Sequence, residues 1–171
     1  MGQPMQMSNK LEITTRYYNP GLEQSMETLK KAQACIDTHA KQAVAVSFIP
    51  FISVPIVYGV CAKMIVQLDK IFGIPTAKGW DSEVVGNILA GVIAAPALAI
   101  PLLGAGAASV YIKSIGENYA KAVAIVISNA TPEELNDNEF VTQSIKDELQ
   151  KIYAQRREAR QKRMNQTEAN G

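Results

Sequence analysis

The chain has 171 residues, enough for one domain with a core and too few for two comfortable ones. Hydrophobic residues make up 47% and the formal net charge is +1, so the totals lack the strong basic excess that a nucleic-acid partner would require. Cys35 and Cys61 stand far apart beside a single histidine, which fits two reduced thiols in a cytoplasmic protein and neither a metal site nor a disulfide framework.

Residues 1–18 form a polar N-terminal segment without an apolar core of signal-peptide length. Gln6 stands where a myristoylation pattern after Gly2 needs Ser or Thr. A first helix, A, is expected to open near Asn19, with Pro20 in its first turn. Leu22, Met26, Leu29, Ile36, Ala40 and Ala43 recur along it at helical spacing.

From Gln42 to Ala62, and again from Val84 to Ile112, no residue is charged. Both runs exceed the ~18 residues that mark a membrane segment. With about ten strong apolar residues, each run gains about 3–6 kcal/mol on insertion. Pro50 and Pro55 interrupt the first run, Pro96 and Pro101 the second, and IPFISVP and APALAIP read as an internal repeat. A proline within a continuous helix costs about 3 kcal/mol, so two per run can cancel that gain. Proline also pushes the preceding Ile49, Val54, Ala95 and Ile100 away from helical geometry. Each run therefore predicts helix, apolar turn, helix, with Pro50, Pro55, Pro96 and Pro101 as the membrane hairpin turns.

Helix B is expected from about Pro55 to Phe72, stopping at Gly73 ahead of Pro75. In the following loop, Trp80 beside Lys78 suits either an interfacial anchor or an ordinary loop tryptophan. Helix C is expected from Asp81 to Ala95, and helix D continues through Tyr111, Ile115, Tyr119, Val123 and Val126. Small residues recur every fourth position as Gly86, Ala90 and Ala94, as Gly91, Ala95 and Ala99, and as Gly104 and Ala108. Such a face lets helices approach closely, either C against D or between copies in a homo-oligomer.

Thr131-Pro132-Glu133-Glu134 reads as a capping box. It should open a C-terminal amphipathic helix over 131–163, with Val141, Ile145, Leu149 and Ile152 on one face. Its basic end carries Arg156, Arg157 and Arg160 beside Lys162 and Arg163. These side chains can hold acidic headgroups or simply solvate a helix end. Residues 164–171 are expected as a disordered tail.

The fold class expected is all-α: a helical-hairpin membrane-associated domain over 19–130, made of two proline-centred apolar hairpins (A/B and C/D), followed by the amphipathic helix. Each hairpin arm is about 12–18 Å long at 1.5 Å per residue, about half of a ~30 Å hydrocarbon core. Two dipping hairpins, two kinked full spans (a transmembrane helix pair) and a soluble core all fit that length. His39 reads as structural, and Lys63 and Asp69 flank the core of helix B. No phosphate loop, nucleophile elbow, zinc spacing or paired catalytic carboxylates appear, so no enzyme, cofactor or metal is expected.

Ile36-x-x-His39-Ala40, Ile49-Pro50, Pro55, Met64-Ile65-x-x-Leu68 and Phe72-Gly73, followed by a second Gly/Ala-rich apolar hairpin, resemble the bacterial YcjF-like domain of unknown function over about residues 30–128. The resemblance implies membrane association and, because that domain often follows a small GTPase domain absent from this chain, cooperation with a separate GTPase. FISVP stands where family members often show a Pro-Gly-Leu-Asp-like turn, and the resemblance assigns no site residues. The expected protein is a membrane anchor or scaffold in contact with the lipid bilayer, on the cytoplasmic face of a bacterial inner membrane. A pore-forming or membrane-perturbing factor and a cytoplasmic, soluble helical interaction module are the alternatives.

Overall fold

The structure, a computed structural model, describes residues 22–46, 53–74 and 100–169. Every regular element among them is helical: α1 (Leu22–Val46), α2 (Ser53–Phe72), α3 (Ile100–Asn129), the single-turn α4 (Pro132–Leu135) and α5 (Asn138–Ala169). The all-α expectation holds. Pro50, Pro96, Trp80, Gly86, Ala90, Gly91, Ala94 and Ala95, and with them helix C and its pairing with D, lie outside the described residues.

Pro55 and Pro101 sit in the first turns of α2 and α3, Pro55 close to the expected start of helix B. The reason is that first-turn N–H groups have no intrahelical acceptor, so a proline there forfeits no bond and supplies a helical φ. α2 ends as its sequence suggests. Gly73 adopts φ +70°, its N–H reaches the Lys70 carbonyl at 3.3 Å, and the Ile74 N–H reaches Asp69 O at 3.1 Å. This is a Schellman motif, in which glycine tolerates the left-handed conformation and the buried Ile74 closes over the helix end.

Each long helix buries one stripe. On α1 it is Ala32, Ile36, Ala40 and Ala43; on α2 Val60, Cys61, Met64, Ile65, Leu68 and Phe72; on α3 Ile112, Ile115, Tyr119, Ala122, Val123 and Val126. Spacings of three and four residues bring these side chains onto one face, and each fully buried Ile or Leu contributes about 1.5–3 kcal/mol. The pairings fix directions. Lys113 meets Asp37, and a Cβ on Gly116 would lie 2.7 Å from Ile36 and 3.0 Å from Met64. Tyr119 meets Asp69, so α2 and α3 run parallel while α1 runs antiparallel to both.

The C-terminal region departs from its expected layout. The capping box forms, with Glu134 N–H donating to Thr131 Oγ1 at 3.3 Å and Thr131 N–H donating to Glu134 Oε2 at 2.8 Å, but it opens only α4. The long helix begins afresh at Asn138 because Asp137 Oδ1 accepts the N–H groups of Glu139 and Phe140 at 2.9 and 3.2 Å. α5 then buries Val141, Ile145, Leu149 and Ile152 against the bundle, as its sequence pattern predicts. It continues to Ala169, past the expected end at residue 163, since no glycine or proline interrupts it before then.

Candidate functional site

Polar groups converge at three places inside the bundle. Asp69, fully buried, accepts a 2.6 Å hydrogen bond from the Tyr119 hydroxyl, and its second carboxylate oxygen is unpartnered. Burial pushes the Asp69 carboxyl up to about 6, partly offset by the Tyr119 bond. Burial, reinforced by Asp69, raises the Tyr119 hydroxyl well above its ordinary value. His39 is buried on α1, where its Nδ1–H donates to the Cys35 carbonyl at 2.9 Å, and the Cys35 thiol donates to Gln67 at 3.4 Å. That bond engages Nδ1 of the imidazole within its own helix.

Cys61, Tyr111, Asn118 and Tyr153 gather where α2, α3 and α5 meet. Burial pushes the Cys61 thiol up to about 12 and raises both tyrosine hydroxyls. Asn118 and Tyr153 lie side by side, yet neither Asn118 Nδ2 nor the two hydroxyls reach a partner at hydrogen-bonding geometry. Both cysteines are free, and both thiols are held protonated by burial. A cleft of about 230 Å³ opens where α3 and α5 face each other, lined by Val126, Phe140, Asp147 and Lys151 among others. It is smaller than ordinary ligand pockets. Among the described residues, no three His, Cys, Asp or Glu side chains stand close enough to hold a metal.

The described parts of the two uncharged runs end up together. Because α2 and α3 are parallel and α1 opposes them, the end of α1, the start of α2 and the start of α3 share one end of the bundle. Toward that end the last charged residue on each helix is a lysine: Lys41, Lys63 and Lys113, all exposed. They lie near one level, since Lys113 pairs with Asp37, one turn before Lys41, and Lys63 adjoins Met64 beside Gly116. Lys113 holds the Asp37 carboxyl below its ordinary range. The two exposed large apolar side chains among the described residues, Val110 at 69% and Met164 at 60%, both belong to this end.

α5 runs antiparallel to α3, because Arg156 donates to Ser114 Oγ at 2.8 Å while the residues around Asp147 face Val126. Its basic end therefore points the same way as the uncharged starts of α2 and α3. Arg156, Arg157, Lys162 and Arg163 are all exposed. The Arg160 side chain lies outside the described ones, as does that of Ala108; Ala108 and Gly104 fall on the early turns of α3.

A correction concerns the expected transmembrane helices. No helix among the described residues is long and apolar enough to cross a membrane. Lys63, Asp69 and Lys70 interrupt α2, and Lys113, Glu117 and Lys121 interrupt α3, so the uncharged part of α2 spans only about 15 Å. The Tyr119–Asp69 bond and the Asp37–Lys113 pair had no signal in local sequence, because their partners are far apart along the chain. Comparison with protein-family models, with characterised proteins and with solved structures gives no match for this chain.

Proposed function

We propose that this protein is a membrane-associated helical anchor or scaffold, which docks on a bilayer through the uncharged end of its bundle and performs no chemistry of its own. The observation that carries the reading is convergence. Residues from both charge-free runs, Gln42–Ala62 and Val84–Ile112, come to one end of three packed helices, and that end presents Val110 and Met164 to its surroundings. Exposed apolar side chains at the same end as the described uncharged helix starts support an interaction surface there. The lysines at its margin are placed to keep charge in water while apolar stems reach inward.

Shallow docking agrees with the helix lengths. An uncharged stretch of about 15 Å on α2 reaches only half of a ~30 Å core, so the end enters one leaflet without crossing. The internal polar groups act as core fixtures: His39 is bonded within its own helix, and Asp69 is closed off beneath Tyr119.

Flotation of the full chain with liposomes tests the reading. Recovery with the vesicles is expected, together with loss of recovery in Val110→Asp. Val110 is exposed, so that substitution leaves the core intact. A chain that stays at the bottom of the gradient while monodisperse without detergent would instead be a soluble interaction module. Release of an entrapped dye on binding would favour a pore-forming role over a scaffold.

A further inference from the structure

Three features of the molecule exceed what a neutral apolar anchor requires. The first is the Asp69–Tyr119 pair, which is enclosed in the core. The second is the cluster of Tyr111, Asn118 and Tyr153, whose polar atoms lack partners but line no cavity among those described. The third is the placement of positive charge, and it reaches furthest.

The uncharged end is bordered by cations on each of the long helices described. Lys41, Lys63 and Lys113 close the charged parts of α1, α2 and α3. On α5, Arg156 and Arg157 lie at the level of Ser114 and Lys113, and Lys162 and Arg163 extend further toward the apolar end. All seven side chains are exposed. Among the described side chains the acids nearby are Asp37, engaged by Lys113, Glu117, one turn along α3 from Lys113, and Glu158 among the α5 cations. With a formal net charge of only +1 for the whole chain, this is a local asymmetry and not a general excess.

Resting on the membrane reading above, we infer that this end selects anionic phospholipid surfaces, with the basic end of α5 and the three border lysines contacting headgroup phosphates while Val110 and Met164 meet the acyl boundary. Charge complementarity names the occupant. A cation close to an anionic leaflet is attracted to it, and exposed apolar groups at the same end of the bundle distinguish a bilayer from a purely polar polyanion. Distance from the rest of the bundle also matters. Beyond Ile152 the described α5 side chains from Ala154 onward are all exposed, so contact at the basic end does not require the core to unpack.

The full chain should be sedimented with vesicles of phosphatidylcholine alone and with an equal mixture of phosphatidylcholine and phosphatidylglycerol. The expected result is affinity at least about tenfold higher for the mixed vesicles, declining as salt is raised. Arg157→Glu combined with Lys162→Glu should remove at least about tenfold of that preference, while Arg157→Lys with Lys162→Arg retains it. Circular dichroism melts unchanged in both pairs would assign the loss to charge and not to unfolding. Equal binding to neutral and mixed vesicles, or a preference indifferent to the charge reversals, overturns the selectivity and leaves the membrane reading standing. Binding to neither vesicle overturns both. Equal retention by a short DNA duplex, lost with the same reversals, would overturn the lipid assignment in favour of a general polyanion surface.

Discussion

At the scale of single residues, Asp69 and Gly116 are the positions where the core is most exacting. Asp69 carries a pKa of about 6 against about 4 for a carboxyl in an unfolded chain. The folded chain thus binds this proton more tightly, so the stability it provides is complete below about pH 4 and is lost as pH rises through 6. Two units correspond to about 3 kcal/mol. Urea unfolding of the wild type between pH 4 and 7 should show this decline, and Asp69→Asn should flatten it; equal slopes in the two proteins would refute the assignment. Asp37, whose pKa is lowered by Lys113, is shifted in the opposite sense. Gly116 has no room for a side chain between Ile36 and Met64. Gly116→Val is expected to cost about 1–3 kcal/mol through overpacking, read as a lower midpoint in denaturant.

At the scale of helices, the two ends of α5 differ in what holds them. Its start depends on Asp137, whose carboxylate accepts two of the first N–H groups. Asp137→Ala should lower stability by about 1 kcal/mol, whereas the same change at exposed Glu158 should be near neutral, by thermal denaturation. Its middle depends on apolar burial, so Ile145→Ala is expected to cost about 2–5 kcal/mol by the same measurement. Its final turns carry charge and no core contacts. Stability and surface chemistry thus occupy separate parts of one helix.

For the molecule as a whole, the parallel arrangement of α2 and α3 decides where their uncharged starts emerge. Were α3 reversed, its start would lie at the opposite end of the bundle and the apolar surface would be divided. The Tyr119–Asp69 bond and the contact between Gly116 and Met64 record the observed direction. Val110→Asp should abolish vesicle flotation with little change in melting temperature. A variant that floats as the wild type does would remove this end from consideration as the docking surface.

Local pattern settled much of the helical layout. The stop at Gly73 follows from glycine's access to positive φ, and the buried face of α5 follows from the spacing of Val141, Ile145, Leu149 and Ile152. The separate start at Asn138 was also present in local residues, but the stronger signal at Thr131 obscured it. Charge-free runs with prolines were visible too, although a run of composition cannot say which way its helices point. Direction, the buried Asp69–Tyr119 pair, and the meeting of Lys41, Lys63, Lys113 and the basic end of α5 at one end of the bundle belong to tertiary structure alone. They arise from contacts between residues distant in sequence, and periodicity within a helix carries no information about its neighbour.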